Sequence, residues 1–395
     1  MSKILCCWEL GEGLGHLGQF YPVINELVVR GHDVYFIVKD LTKVKTFTWD
    51  KSVVFLQAPI WLPRLRKAVK NKSYAEILIY KGYHLPVTLH SLVAGWINLF
   101  NLIKPDILLF DHSPTALLAS SGLGLPRVIL SNPFVTPPAG MPLISVRPWE
   151  EVDTKSMEGS EKYIVNVINK VAADSHLPSI NYVGDLFNVE KVFLAGFSEL
   201  DLYREFRSSQ VYIGSVPTAA GLPKPVWPSS SSVKIFAYLQ YGSEQAEMAL
   251  SILASLEANV VCYLIEAKPE ECEKYASPNM TISAKPFDLT AVYKEADVIV
   301  THGGIGMVHS ALQAGCPMIL LPLQLEQQNT GYMLEKMNLA MVISSTLTLE
   351  DAKTKARDFF CSPVYFENAK LFSMSVNNAH ISEGEICNVI EGLIE

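Results

Sequence analysis

Short apolar runs alternate with helix-like segments through the first half of the chain. The runs carry few charges and are bounded by glycine, proline or polar residues, which is typical of strands buried in a parallel sheet. We expect helices at 17–30 and near 115–121 between them. The predicted strands are 3–10, 33–39, 52–57, 107–110 and 127–131. This alternation predicts an α/β domain with a doubly wound parallel sheet.

A second series of the same kind follows a stretch rich in proline, glycine and serine. Strands are predicted at 233–238 and 260–265, and the region 297–327 adds two more strands, each followed by a helix. A composition shift of this type marks a linker rather than a core. The sequence therefore predicts a first domain at 1–215, a linker at 216–232 and a second domain at 233–375.

Composition supports two globular cores and excludes some classes of function. Of the 395 residues, 49% are hydrophobic and only 18% are charged, which suits sheets buried on both faces. The formal net charge of −8 argues against a general nucleic-acid binder, since such proteins gain affinity from Lys and Arg on phosphates. The seven cysteines form no CxxC pair and are interpreted as reduced thiols.

The amino terminus enters a predicted strand at once and lacks the apolar region and cleavage site of a signal peptide. No uncharged apolar run reaches the ~20 residues that span a bilayer. We expect a cytoplasmic protein. A basic run beside Trp61 leaves peripheral membrane contact, or contact with an anionic acceptor, as an alternative to a solvated loop; it comprises Arg64, Arg66, Lys67, Lys70 and Lys72.

The turn after the predicted strand 297–301 is the most informative segment. It reads His302, Gly303, Gly304, Ile305 and Gly306, and a helix follows. Glycines between a buried strand and a helix allow a ligand to approach the backbone, and the helix presents N–H groups and a positive dipole end to an anion. This turn predicts a phosphate-binding site, with the backbone N–H of Met307 contributing.

A second turn from strand to helix follows closely and contains Glu326 and Gln327. Their side chains could bond sugar hydroxyls at the same sheet edge, while helix N-terminal acidity is an alternative that explains Glu326 alone. A diphosphate joined to a polyhydroxylated group is the shape of a nucleotide sugar.

These residues resemble the donor signature of nucleotide-sugar-dependent glycosyltransferases, a group that includes UDP-glucuronosyltransferases, plant secondary-metabolite glycosyltransferases and macrolide glycosyltransferases. The matching positions, in order, are His302, Gly304, Gly306, Gly315 to Pro317, and Glu326 with Gln327. The resemblance implies the GT-B fold, in which two Rossmann-like domains face each other across a cleft. It also implies that the final helix, 376–395, packs back on the first domain.

Three positions depart from the family pattern. Met307 stands where the family has a hydroxyl, Ser310 where it has a ribose-binding Glu, and Ala284 where it has a Trp that stacks on the base. Ser310 remains a candidate donor contact, and Phe287 could supply the missing aromatic face, although Phe is more often a core residue.

The loop after the first strand contains Gly13, Gly15 and Gly18 in the spacing of a dinucleotide-binding motif. Asp40 is then a candidate for the acidic residue that binds the ribose in such a site. We set an NAD site aside because it leaves the second glycine turn unexplained. By resemblance this loop lies at the acceptor, and His16 is the general base.

Chemistry independent of the resemblance also favours His16, because imidazole titrates near neutral pH. Asp111 follows the strand 107–110 at the sheet edge where loops converge, so it could orient His16. The alternatives are a structural His16 bonded to backbone, an Asp111 that caps the next helix, and Glu12 as the base.

The expected activity is an inverting hexosyl transfer from a nucleotide-diphosphate sugar, UDP-sugar first, to a hydroxyl of a small-molecule or lipid acceptor. The nucleotide sugar is a co-substrate, and no cofactor or metal is expected because no Asp-x-Asp motif or metal-ligand spacing occurs. Aromatic residues in the long segment 59–102 suit a hydrophobic aglycone. Rival interpretations are a nucleotide-sugar epimerase or hydrolase on the same fold and a catalytically degenerate partner subunit.

Overall fold

The computed structural model describes residues 1–63, 70–208, 210–214, 222–228, 233–376 and 381–394. The chain divides into unit 1, formed by Met1–Ile213 with Ile381–Glu395, and unit 2, formed by Gly214–His380. Residues 214–380 therefore belong to unit 2. The predicted linker 216–232 and basic run 64–72 fall largely outside the described residues.

Unit 1 is built on a seven-stranded sheet in the order β3-β2-β1-β4-β5-β6-β7, and every pairing is parallel. Its central strands, β1 and β4, are apolar and almost fully buried, which explains why they form the middle of a two-faced sheet. The strands are β1 Lys3–Trp8, β2 Asp33–Val38, β3 Val54–Gln57, β4 Ile107–Asp111, β5 Arg127–Ser131, β6 Lys191–Leu194 and β7 Val211–Tyr212.

The helices of unit 1 connect successive strands, except for the last one. Helix α13 comes from the far end of the chain and packs on α1, where the Arg30 guanidinium donates to Glu391 and Asn388 and to the carbonyl of Gly384. The helices are α1 Gly15–Val29, α2 Tyr74–Leu78, α3 Pro86–Ile103, α4 Pro114–Ser120, α5 Thr154–Asp174 and α13 Glu383–Gly392.

Unit 2 repeats the plan with a six-stranded parallel sheet in the order β10-β9-β8-β11-β12-β13. Its strands are β8 Lys234–Gln240, β9 Asn259–Ile265, β10 Met280–Ser283, β11 Val298–Thr301, β12 Met318–Leu320 and β13 Ala340–Val342. Its helices are α6 Glu244–Leu253, α7 Pro269–Glu273, α8 Leu289–Glu295, α9 Ile305–Ala314, α10 Leu325–Lys336, α11 Leu349–Cys361 and α12 Pro363–Val376.

Strand order reverses between β1 and β4 in unit 1 and between β8 and β11 in unit 2. Ligands of open parallel sheets bind outside the carboxyl ends of the strands at such a reversal. Residues that follow these four strands are therefore the first place to look for chemistry in each unit.

The long segment 59–102 is mainly helical, and several of its aromatic residues are core residues. Tyr74, Tyr83 and Trp96 are fully buried in unit 1, so the rings of these three do not form the exposed aromatic surface that was expected. By length and composition alone, α3 is the one described helix that could cross a membrane. That is a weak indication, because a helix in the core of a soluble protein passes the same test.

Candidate functional site

His16 and Asp111 meet at the strand-order reversal of unit 1. His16 lies in the first turn of α1, Asp111 ends β4, and His16 Nδ1 lies 2.6 Å from Asp111 Oδ2. Both side chains are buried, with His16 8% exposed and Asp111 fully covered. The carboxylate accepts the Nδ1 proton in this arrangement, which leaves Nε2 as the basic nitrogen.

Two further residues hold this pair, and sequence reasoning missed both. The Ser131 hydroxyl, at the end of neighbouring β5, donates to Asp111 Oδ1 at 2.6 Å. The Trp8 ring stacks on the His16 ring with centroids 5.2 Å apart and planes 23° apart. Trp8 and Asp111 are partners in the β1–β4 register, so the sheet itself places the support beneath the imidazole.

The glycine loop before His16 packs closely against the imidazole of His16. Gly11 has a φ of 84°, and a β-carbon at this position would lie 2.2 Å from His16 Nε2. Gly13 also has a positive φ, 87°, whereas Gly15 has an ordinary φ, and both face open space. Gly11, which the sequence analysis did not single out, is therefore the glycine that the imidazole requires.

Two of the alternative interpretations of this region do not fit the structure. Asp40 caps a short 3₁₀ helix by accepting from Thr42 N at 2.9 Å, so it has a structural role in place of ribose binding. Asp111 does not cap α4; Glu9 does, by accepting from Thr115 N at 2.6 Å. Glu12 has an exposed side chain and lies 4.0 Å from the Lys39 ammonium.

Glu9 is a buried acid beside the His16–Asp111 pair that the sequence analysis did not identify. Its carboxylate also accepts from the Trp96 indole at 2.7 Å. Burial raises the pKa of Glu9 to about 7, and the bonds from Thr115 and Trp96 only partly offset that effect. Unit 1 thus contains a carboxyl group that titrates near neutral pH.

The glycine turn of unit 2 has the geometry expected of an anion site. Gly303 has a φ of 88°, and Gly304 is the N-cap of α9 with no side chain bonded to the helix end. A β-carbon at Gly304 or Gly306 would meet nothing within 4 Å. The first N–H groups of α9 have no partner within their helix, so this open face can receive an oxyanion.

His302 precedes that turn and packs on Tyr238, which lies near the end of β8, with ring centroids 5.6 Å apart. Burial lowers the pKa of His302 to about 4, so the imidazole is neutral at physiological pH. Within the described part of the chain, its buried Nδ1 has no hydrogen-bond partner. His302 can therefore offer a diphosphate a hydrogen bond but not a positive charge.

Gln327 has a helix-capping role in the second turn that was not expected from the sequence. Its side-chain carbonyl accepts from the backbone N–H of Leu323 at 2.8 Å and of Gln324 at 3.3 Å, so it caps α10. From the sequence, a role in stabilising the N-terminus of the helix was expected of Glu326 only. Gly303 packs close to the Gln327 backbone, which brings the two turns together. Glu326 is half-buried in the first turn of α10.

Two of the positions that depart from the family pattern, Met307 and Ser310, contact a neighbouring helix. The Tyr293 hydroxyl, on α8, contacts the carbonyl and the sulfur of Met307 at 3.3 and 3.2 Å, and it also bonds the Ser310 hydroxyl. Phe287 packs edge-on against Phe236 with centroids 6.2 Å apart. These side chains contribute to packing in unit 2, so any part of Met307 in anion binding falls to its backbone N–H.

The described residues contain no group of three or more His, Cys, Asp or Glu side chains placed to hold a metal ion. All seven cysteines are unpaired, and only Cys361 is exposed.

Residues 244–360, which cover most of unit 2, match the model of the glycosyltransferase family 28 C-terminal domain. A comparison of the sequence with curated proteins finds no match.

Solved structures match over the whole chain. The calicheamicin glycosyltransferase CalG4 gives a TM-score of 0.72 at 14% identity, over 100% of this chain and 98% of its own. The spinosyn rhamnosyltransferase SpnG, solved with spinosyn aglycone, gives 0.67 at 14% identity, over 99% and 100%. The Streptomyces sp. SF2575 glycosyltransferase SsfS6, solved with thymidine diphosphate, gives 0.63 at 16% identity, over 99% and 100%.

The predicted GT-B fold is confirmed by these similarities, with one parallel-sheet α/β domain in each unit. The chain therefore has the GT-B fold, and residues 244–360 of its second unit are similar to the glycosyltransferase family 28 C-terminal domain.

Proposed function

We propose that the protein transfers a hexose from a nucleoside-diphosphate sugar to a hydroxyl of a small-molecule acceptor, with inversion at the anomeric carbon. The observation that carries the proposal is the 2.6 Å contact between His16 Nδ1 and Asp111 Oδ2 at the strand-order reversal of unit 1. A buried imidazole oriented by a carboxylate is the arrangement that general-base catalysis at a hydroxyl requires.

In the acceptor half of the reaction, His16 Nε2 takes the hydroxyl proton while the acceptor oxygen forms a bond to the anomeric carbon. The resulting imidazolium is stabilised by Asp111, which Ser131 holds in place. A single displacement of this kind inverts the configuration of the anomeric carbon.

In the donor half, the bond between the anomeric carbon and the diphosphate oxygen breaks as the new bond forms. The backbone N–H groups that follow Gly304 would stabilise the departing diphosphate through the dipole of α9, and neutral His302 would add a hydrogen bond. Glu326 and the amide of Gln327 are the proposed contacts for sugar hydroxyls.

The donor nucleotide is tested first as UDP. Thymidine diphosphate is the second candidate, because the similar glycosyltransferase SsfS6 was solved with it. The acceptor is proposed to be a small hydroxylated molecule, since SpnG was solved with an aglycone, and a lipid acceptor stays in the screen.

The test is release of nucleoside diphosphate from UDP-, TDP- and GDP-sugars with a library of hydroxylated acceptors, comparing wild type, His16→Ala and Asp111→Asn. We expect acceptor-dependent release, which falls by about 10²–10⁴-fold in both variants. His176→Ala is the control, because His176 is exposed and far along the chain from these residues. The anomeric coupling constant of the product reports inversion.

Equal release by wild type and His16→Ala would remove His16 from its role. Release that needs no acceptor would instead identify a nucleotide-sugar hydrolase, and conversion of the donor to an epimer without release would identify an epimerase.

A further inference from the structure

His112 holds an unusual backbone conformation directly after Asp111. Its φ is 39°, in the left-handed region that residues with a β-carbon seldom occupy. Its carbonyl accepts from Leu10 N at 3.1 Å, which ties the loop after β1 to the loop after β4. Conformations of this kind persist where the surrounding structure enforces them and are concentrated at functional sites.

The His112 side chain is enclosed but unsatisfied. It is only 9% exposed, and neither ring nitrogen has a hydrogen-bond partner among the residues that the structure describes. The ring lies 6.1 Å from that of Tyr74, whose fully buried hydroxyl likewise has no partner within the described ranges. Because a buried polar group without a partner is costly, such a pair calls for a bound molecule or an enclosed water.

His112 also faces the imidazole proposed as base. The centroids of the His16 and His112 rings are 6.1 Å apart. A β-carbon at Gly11 would lie 2.2 Å from His16 Nε2 and 3.2 Å from His112 Nδ1. His16 Nε2 and His112 Nδ1 therefore lie close together on the same side of Gly11, and the imidazole of His16 fills the position that a side chain there would take.

The His112 imidazole is neutral. Burial, reinforced by His16, Lys81 and Lys39, holds the pKa of His112 well below its usual range. A neutral imidazole has one donor and one acceptor nitrogen, and Tyr74 adds a hydroxyl that can do either. This set is suited to an uncharged hydroxyl rather than to a carboxylate or phosphate.

On the basis of the proposed transfer to an acceptor hydroxyl, we infer that His112 and Tyr74 form a subsite for a second acceptor oxygen. Since His16 Nε2 and His112 Nδ1 lie close together beside Gly11, the two oxygens that they bind must be close neighbours. The preferred acceptors are therefore vicinal dihydroxy compounds, in which one hydroxyl reacts at His16 and its neighbour bonds His112.

The test uses acceptors in matched pairs that differ by one adjacent hydroxyl, such as catechol-type and phenol-type members of the active library. The informative quantity is the ratio of kcat/KM between the members of a pair. We expect wild type to prefer the dihydroxy member by about 10-fold or more, as one well-made hydrogen bond permits.

His112→Gly removes the imidazole and suits the left-handed backbone, while His112→Asn keeps a polar side chain that tolerates it. We expect His112→Gly to lower the ratio to about 1 through a higher KM for the dihydroxy member, with turnover of the monohydroxy member within about threefold of wild type. His112→Asn should retain part of the preference. His176→Gly is the matched control, since His176 has a φ of 56° and is exposed.

An unchanged ratio in His112→Gly, with activity intact, would overturn the subsite and leave the proposed function standing. If wild type shows no acceptor-dependent turnover with any acceptor, the proposed function itself is refuted. A second readout is the ring NMR signals of His112, assigned by their loss in His112→Asn. These signals should shift on addition of catechol and not of phenol, and an equal response to both would indicate an enclosed water only.

Discussion

Gly11 and His16 are matched so closely that the imidazole occupies the space a side chain at position 11 would need. The β-carbon of an alanine there would lie 2.2 Å from His16 Nε2. We predict that Gly11→Ala displaces the imidazole from Asp111 and lowers kcat by about 10²-fold or more, because misplacement of about 1 Å is enough for such a loss. Steady-state kinetics with the best donor and acceptor measure this.

The matched control is Gly31→Ala. Gly31 has a φ of 86°, close to the 84° of Gly11, but nothing lies within 4 Å of its added β-carbon. Both variants bear the same backbone strain, of order 1 kcal/mol. If the two lose activity equally, backbone strain and not the His16 contact explains the effect.

Substitution of Gly306 can test nucleotide binding by unit 2 without lowering its stability. It is exposed in the first turn of α9, and an added β-carbon would meet nothing. Alanine there should stabilise the helix by about 0.5–1 kcal/mol, yet a larger side chain should obstruct an anion at the helix end. We predict that Gly306→Leu weakens binding of UDP or TDP by about 10-fold or more in calorimetry, without loss of thermal stability.

Gly159→Leu, on the exposed face of α5 in unit 1, provides the corresponding control. It should leave nucleotide affinity unchanged. Normal nucleotide affinity in Gly306→Leu would show that the diphosphate does not use this helix end.

His302 should bind nucleotide as a neutral donor. Its pKa is lowered by burial to about 4, so at pH 8 a diphosphate would have to raise that pKa by about four units before a proton was taken up. We predict the same binding heat in buffers of different ionisation enthalpy. His302→Gln, which keeps an N–H donor, should bind within about threefold of wild type, and His302→Leu should bind about 10-fold more weakly.

A buffer-dependent heat that disappears in His302→Gln would show that the imidazole becomes charged in the complex.

Glu9 should make the stability of unit 1 depend on pH. Its pKa is about 7 in the folded protein against an ordinary 4.5, so the folded state holds more protons between these values. The ionisation of Glu9 therefore does not change the free energy of unfolding below about pH 4.5. As the pH rises toward 7 this free energy falls, and above pH 7 it is lower by about 3 kcal/mol. Glu9→Gln cannot ionise and should lack this fall.

The measurement is the urea midpoint of wild type and Glu9→Gln from pH 5 to pH 8. Loss of one accepted bond gives the variant a constant deficit of about 1 kcal/mol, so its stability relative to wild type should rise with pH. Glu12→Gln, at an exposed position, should follow the wild-type slope. Parallel curves for Glu9→Gln and wild type would contradict the prediction.

The positions of both candidate sites could be predicted because strand ends in parallel sheets converge. Asp111 after one apolar run and the turn at Gly303 after another were sufficient to indicate them. Helix α9 begins at Ile305, within the residues that were expected to form the turn before it. Ser131 could have been found in the same way, since it is a polar residue at the end of the strand next to Asp111.

Other features of the candidate sites could not be predicted from the sequence because they depend on tertiary packing. Nothing local distinguishes Glu9 from an ordinary surface acid until Trp96 and Thr115 enclose it. Gln327 was assigned to the sugar because capping was expected of the acidic residue before it, whereas the loop geometry directs its carbonyl to the N–H groups of Leu323 and Gln324.

Helix α13 is made after unit 2 during translation, yet it completes unit 1, whose other residues precede unit 2. Its buried Ile386, Cys387 and Ile390 cover α1, so that face of the nascent unit 1 stays uncovered until residues 383–392 leave the ribosome. Unit 2, whose residues end at His380, can close before then. A premature stop codon before Glu383 would therefore damage the half of the protein that lies farthest from it in the gene.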